Sequence, residues 1–128
     1  MQALLVPVGG EWHALDLSRV REVLHAPVVT AVPDGPPWLA GVVNVRGEIL
    51  AAVDTSIPLG GTGVLEPSHV IVADTVKGKA ALCASGPPEP VELLERCGDG
   101  AHPGVVGRYV VDERVASLVD LDELLGGG

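Results

Sequence analysis

Phenylalanine is absent from the 128 residues, and Trp12, Trp38 and Tyr109 are the only aromatic side chains. An interior of ordinary density must therefore be filled by Val, Leu and Ala. Val suits a pleated, half-buried surface, so the shortage of rings points toward strands. Basic residues are scarce as well, 8 Lys and Arg against 17 Asp and Glu, for a formal net charge of −9. Phosphate contacts need clustered cations, so a general nucleic-acid binder is excluded. The same charge disfavours an anionic membrane surface. Neither Cys83 nor Cys97 has a second Cys two or three positions away, which leaves a zinc site without a ligand pattern. A disulfide is not expected in a reducing compartment. No apolar run approaches the roughly 18 residues of a membrane span, so no direct membrane insertion is expected. The opening MQALLVPVGGEW lacks a basic leader and carries Pro7 early, unlike a signal peptide. A cytoplasmic location is the expectation.

Apolar residues make up 47% of the chain, too many for disorder, and the length suits one domain or two small lobes sharing a core. With 17 Gly and 11 Pro as punctuation, many short strands and tight turns are expected. Leu4 to Val8 reads as a strand closed by Gly9-Gly10. In HALDLSRVREVL, Leu17, Val20, Val23 and Leu24 recur at helical spacing and Asp16 or Ser18 is placed to cap, so the pattern leans helical over 15–24. Val28 to Val32 reads as a strand, stopped by Pro33, Pro36 and Pro37. Trp38 to Gly41 reads as one helical turn. Two runs, 42–45 and 48–53, flank Arg46-Gly47, a two-residue hairpin connection with Gly in second place. Gly60 to Gly63 marks a break between halves near 60–68. A second hairpin turns near Lys77-Gly78 and a third at Asp112-Glu113. Between them Glu92 to Cys97 reads as a short helix or irregular chain, followed by the loop GDGAHPG. Asp120 with Glu123 resembles a capping box for a final helix, Leu121 to Leu125.

Catalytic patterns are missing. His13, His25, His69 and His102 form no His-x-x-x-His or His-Glu-x-x-His pair. GGTG at 60–63 lacks the Gly-Lys-Ser/Thr ending of a phosphate loop, and no Ser sits in Gly-x-Ser-x-Gly. Nothing here calls for an enzyme, a metal or a cofactor.

The most specific pattern runs from residue 13 to residue 54: His13-Ala14-Leu15, Val20-Arg21-Glu22-Val23, Pro33 with Pro36-Pro37, Gly41-Val42-Val43-Asn44-Val45-Arg46-Gly47, and Ile49 to Asp54. In that order and spacing the segment resembles the CheW family of chemotaxis coupling proteins. Residues 69–84 and the ending VVGRYVVDERVASLVDLDELL are compatible with it. The resemblance implies an all-β fold: a single CheW-like domain over 1–128, built of two intertwined SH3-like β-barrel lobes packed together, with short edge helices including a C-terminal one. It also replaces the helical reading of 15–24 with strand, tight turn and strand.

For function, the resemblance implies a non-catalytic adaptor. Its partners would be the regulatory domain of a CheA-type histidine kinase and the hairpin tips of chemoreceptors. Carried over residue by residue, the receptor groove falls on Val20, Glu22, Gly41, Arg46 and Gly47. Glu22 and Arg46 would face each other as an ion pair. The hairpin alone also accounts for Gly47, a core position also accounts for Val20, and Asn44 reads as a turn-stabilising side chain. His13 stands where an aromatic is usual, Ala51 where Pro is common, and Thr55-Ser56 where Leu-Arg is frequent. Two alternatives stay open: a CheW-like module without receptor contact, and a small acidic enzyme.

Overall fold

Strand pairing begins with the first residues and is dictated by turn chemistry. Gly9 and Gly10 both take positive φ, 55° and 88°, which folds Gln2–Val8 (β1) back onto Glu11–Asp16 (β2). The computed structural model describes residues 1–64, 66–100 and 102–126.

The helical lean over 15–24 gives way to a single 3-10 turn, Leu17–Arg19, followed by strand Val20–His25 (β3). Asp16 accepts both the Ser18 amide at 3.0 Å and the Ser18 hydroxyl at 2.8 Å, so the helical signal is spent in one turn. Beyond it Val20, Glu22 and Leu24 are half-buried and Arg21, Val23 and His25 exposed, the two-residue period of a strand. Antiparallel pairing with His69–Thr75 (β6) outcompetes a weak local preference. Leu39–Val45 (β4) and Glu48–Val53 (β5) form the next hairpin, so the expected helical turn at 38–41 is strand from Leu39 onward. The expected strand at 28–32 shrinks to one bridge, Thr30 to Val42, between Pro27 and Pro33, which have no N–H to donate.

β6 pairs with Gly78–Ala84 (β7), and Glu89–Glu92 (β8) and Glu95–Asp99 (β9) follow. The helix or irregular chain expected at 92–97 is therefore extended, because β8 and β9 find partners in β1 and in Val105–Val111 (β10). Arg114–Val119 (β11) completes the third hairpin, whose turn holds Asp112 and Glu113 at φ 48° and 66°. Asp120 accepts the amides of Asp122 and Glu123 at 3.0 and 3.2 Å and starts the helix Leu121–Gly126 (α1).

The strands form two sheets, ordered β8-β1-β2-β11-β10-β9 and β3-β6-β7-β5-β4. Each coils into an SH3-like barrel lobe, and the whole is all-β with short helical pieces at the edges. The first lobe takes strands from both ends of the chain and the second from its middle. Residues 60–68 join β5 to β6 inside the second lobe, and the chain changes lobes at the 3-10 turn and between β7 and β8.

Three apolar cores result. Leu5, Ala14, Val111 and Leu118 fill the first lobe, and Val43, Leu50, Val70 and Val72 the second. Leu4, Val6, Leu15, Ile71, Leu82, Val119 and Leu124 pack between them. Each such Leu, Ile or Val gains about 1.5–3 kcal/mol from leaving water, so the inter-lobe layer is a core in its own right.

Candidate functional site

β3 and β4 are the outer strands of the five-stranded sheet, and among the described residues no backbone hydrogen bond joins them. The second barrel therefore has an open seam between these two edges. The β4–β5 turn reaches across it. Arg46 and Gly47 both take positive φ, 53° and 85°, the conformation a two-residue hairpin turn needs. Asn44 Oδ1 accepts the Gly47 amide at 2.9 Å and locks the turn. A Cβ on Gly47 would touch nothing within 4 Å, so its backbone conformation alone explains it.

From that turn the Arg46 guanidinium spans the seam to Glu22 on β3. Its Nη2 and Nε donate to Glu22 Oε2 at 3.1 and 3.2 Å. The hydrogen bonds to Glu22, then its charge, raise the Arg46 pKa further above its ordinary value. Arg46 is 80% exposed and Glu22 27%, so this pair orients more than it stabilises.

The other carried-over residues lie further along the same two strands. Val20 is half-buried and packs on the inter-lobe core. Gly41 sits mid-β4, where a Cβ would overlap the Thr30 carbonyl, so it is required by the Thr30–Val42 bridge. Thus the structure unites Glu22, Asn44, Arg46 and Gly47 at one rim, with Val20 half-buried further along β3 and Gly41 held against Thr30 on β4.

What the sequence reading missed is apolar. Along the same seam runs a groove of about 410 Å³, lined by Leu24, Val28, Val42, Val43, Asn44 and Ile49. Val28 is 80% exposed and Ile49 61%, well beyond what a closed core leaves open. Strand phase contained a signal: Asn44 pairs with Ile49 while neighbouring Val43, Val45 and Leu50 are buried, so Ile49 must point outward.

A second polar cluster is sealed. His13 on β2 and Thr55 after β5, 3% and 1% exposed, share a hydrogen bond of 2.8 Å between Nδ1 and Oγ1 across the lobe interface. Beside them Asp54 accepts the Ser56 amide and hydroxyl on one oxygen and the Val64 amide on the other. Burial drives the His13 pKa from 6.5 down to about 4, against an opposing pull from Asp54, so the ring is neutral at pH 7. At 3% exposure the ring has almost no contact with solvent. Among the described residues no three His, Cys, Asp or Glu side chains converge to hold a metal.

The fold has counterparts among known proteins. The family model described as CheW-like domain matches residues 2–128. The chain belongs to the CheW family. It is 35% identical to chemotaxis protein CheW of Rhizobium meliloti (strain 1021) over 128 residues, covering 91% of this chain and 82% of that one. It is 26% identical to chemotaxis protein CheW of Klebsiella aerogenes over 132 residues, 95% and 80% of the two chains. The crystal structure of the scaffolding protein TtCheW from Thermoanaerobacter tengcongensis superposes with a TM-score of 0.75 at 21% identity, over 96% of this chain and 90% of that one, and shows the shared fold. The CheW family is one of non-catalytic adaptors that couple receptors to CheA in chemotaxis, and this chain is a coupling scaffold adaptor. No helix among the described residues is long and apolar enough to cross a membrane.

Proposed function

We propose that this CheW-family chain works without catalysis in the cytoplasm, linking chemoreceptor hairpin tips to the regulatory domain of a CheA-type histidine kinase, with the receptor engaging the β3–β4 seam. The observation that carries this reading is the Arg46–Glu22 pair standing at one end of an exposed apolar groove. An amphipathic helix needs an apolar track for its anchors, here Val28 and Ile49, and charges beside the track to fix its register. The turn at Arg46-Gly47 supplies both reach and rigidity, since Asn44 holds it from within.

Co-sedimentation with receptor-bearing membranes, in the presence and absence of the kinase, tests this. Arg46→Glu places two carboxylates face to face at the rim and weakens receptor association by about ten-fold or more, with kinase binding and the urea midpoint little changed. Normal receptor association by folded Arg46→Glu protein removes the seam from the receptor site. Failure of the parent chain to bind either partner contradicts the adaptor reading itself.

A further inference from the structure

His25 ends β3 and His69 begins β6, and the strand register sets the two directly opposite each other. One step on, the Ala26 amide donates to the Ser68 carbonyl at 2.8 Å. Hydrogen-bonded and non-hydrogen-bonded pairs alternate along an antiparallel ladder, so 25 and 69 form the non-hydrogen-bonded kind, in which side chains come closest. The imidazole rings lie 4.9 Å apart, centre to centre, with their planes tilted by 49°, so they are not stacked. Far apart in sequence, these histidines are brought together by strand pairing alone.

Both rings keep a nitrogen to spare. His25 is exposed, and among the described residues neither of its ring nitrogens makes a hydrogen bond. His69 is half-buried and uses only Nδ1, which lies 2.8 Å from the Ser68 hydroxyl. With its proton on Nδ1, that bond fixes the ring and leaves the Nε2 lone pair unused, the way an outer hydrogen bond orients a histidine ligand. Ser68 is itself anchored, its amide donating to the Ala84 carbonyl at 3.0 Å, and His69 pairs with Ala84 on its other side. Among the described residues the histidine beside a carboxylate is His13, near Glu11, so no acidic side chain engages this pair.

We infer that His25 and His69 form a two-histidine chelate for a divalent transition ion of the zinc, nickel or copper class, with water completing its shell. An ion about 2 Å from each imidazole nitrogen lies roughly 3 Å from each ring centre, and a tetrahedral angle then sets the centres about 5 Å apart. The separation of 4.9 Å meets that requirement. Imidazole nitrogen selects such ions over Mg²⁺ and Ca²⁺, which take oxygen ligands. Two protein ligands make an open, exchangeable site, unlike the closed four-ligand cage of a structural zinc. The formal net charge of −9 favours the approach of a cation. This site stands whether or not the seam binds receptors.

Titration of the full chain with Zn²⁺ at neutral pH, followed by NMR of the imidazole rings, tests the assignment. The His25 and His69 ring signals shift together and saturate at one ion per chain, while those of His13 and His102 stay in place and Mg²⁺ moves none of them. His25→Gln, at an exposed strand end, keeps the native amide spectrum and lowers Zn²⁺ affinity by about ten-fold or more, because a single ligand loses the chelate. His69→Gln has the same effect on affinity. Ser68→Ala retains both ligands and weakens binding by about ten-fold through the loss of ring orientation. Unmoved His25 and His69 rings at millimolar Zn²⁺, shifts centred on His102 or Cys97, an equal response to Mg²⁺, or undiminished affinity in folded His25→Gln protein would each overturn the proposal.

Discussion

Restoring apolar residues at positions 13 and 55 together is expected to cost far less than changing either alone. The two side chains meet across the lobe interface, both almost fully buried, in a hydrogen bond of 2.8 Å. Thr55→Val keeps the volume but strands the His13 Nδ1 without its partner, at a cost of about 1–3 kcal/mol. His13→Leu strands the Thr55 hydroxyl at a similar cost. In the double variant neither polar group remains to be satisfied, so the two losses do not add, and a coupling of about 1–2 kcal/mol is expected. Urea unfolding at pH 7 measures the cycle, with each single loss also lowering Tm by about 4–11 °C for a domain of this size. Strictly additive losses would refute the argument that these residues act as a pair.

The titration of His13 gives an independent check. The folded pKa of His13 is about 4 against 6.5 when free, so between those values the unfolded chain binds a proton that the native chain refuses. Stability is therefore complete above about pH 6.5 and falls as pH drops toward 4, by about 3 kcal/mol in total. His13→Leu flattens that part of the pH profile, and an unchanged slope would show that another group is responsible.

Gly41→Ala forces a Cβ into the Thr30 carbonyl and is expected to cost about 2 kcal/mol or more in urea unfolding, since only backbone movement relieves the overlap. Asp120→Ala releases the amides of Asp122 and Glu123 and costs about 1 kcal/mol, read as a lower urea midpoint. Cys97 is exposed, whereas burial pushes the Cys83 thiol up to about 12 with Asp54 adding to the shift. Ellman's reagent should label one thiol in the native chain and the second only on unfolding.

The strand-rich architecture was legible because Gly9-Gly10, Arg46-Gly47 and Asp112-Glu113 mark hairpins wherever they fall between apolar runs. The C-terminal helix was legible from Asp120 and Glu123 for the same local reason. Where pattern misled, a partner distant in sequence decided the outcome. Val20 to Leu24 shows helical spacing, yet β6, some fifty residues on, supplies the edge that makes it strand. Residues 92–99 contain no strand signal of their own and become extended only because β1 and β10 offer open edges. Thr30 and Gly41 illustrate the reverse, a glycine whose necessity appears only when a bridge partner is in place.

At the site, the charged half could be read from the Arg46-Gly47 tip and the order of motifs, while the apolar half could not. Val28 follows Pro27 in a stretch that reads as strand, and its exposure depends on how one bridge holds that segment beside β4. His13 and Thr55 each looked like an isolated departure from the family pattern. Only the packing of β2 against the chain after β5 reveals that they answer one another.

The measurement that bears most directly on the seam is an amide NMR titration of the full chain with a soluble receptor hairpin tip. Receptor engagement at the seam gives perturbations concentrated at Val28, Asn44, Arg46 and Ile49, fading in Ile49→Asp protein that keeps its native spectrum elsewhere. Perturbations confined to the six-stranded lobe, with residues 22, 28, 44, 46 and 49 unmoved at saturation, would contradict it.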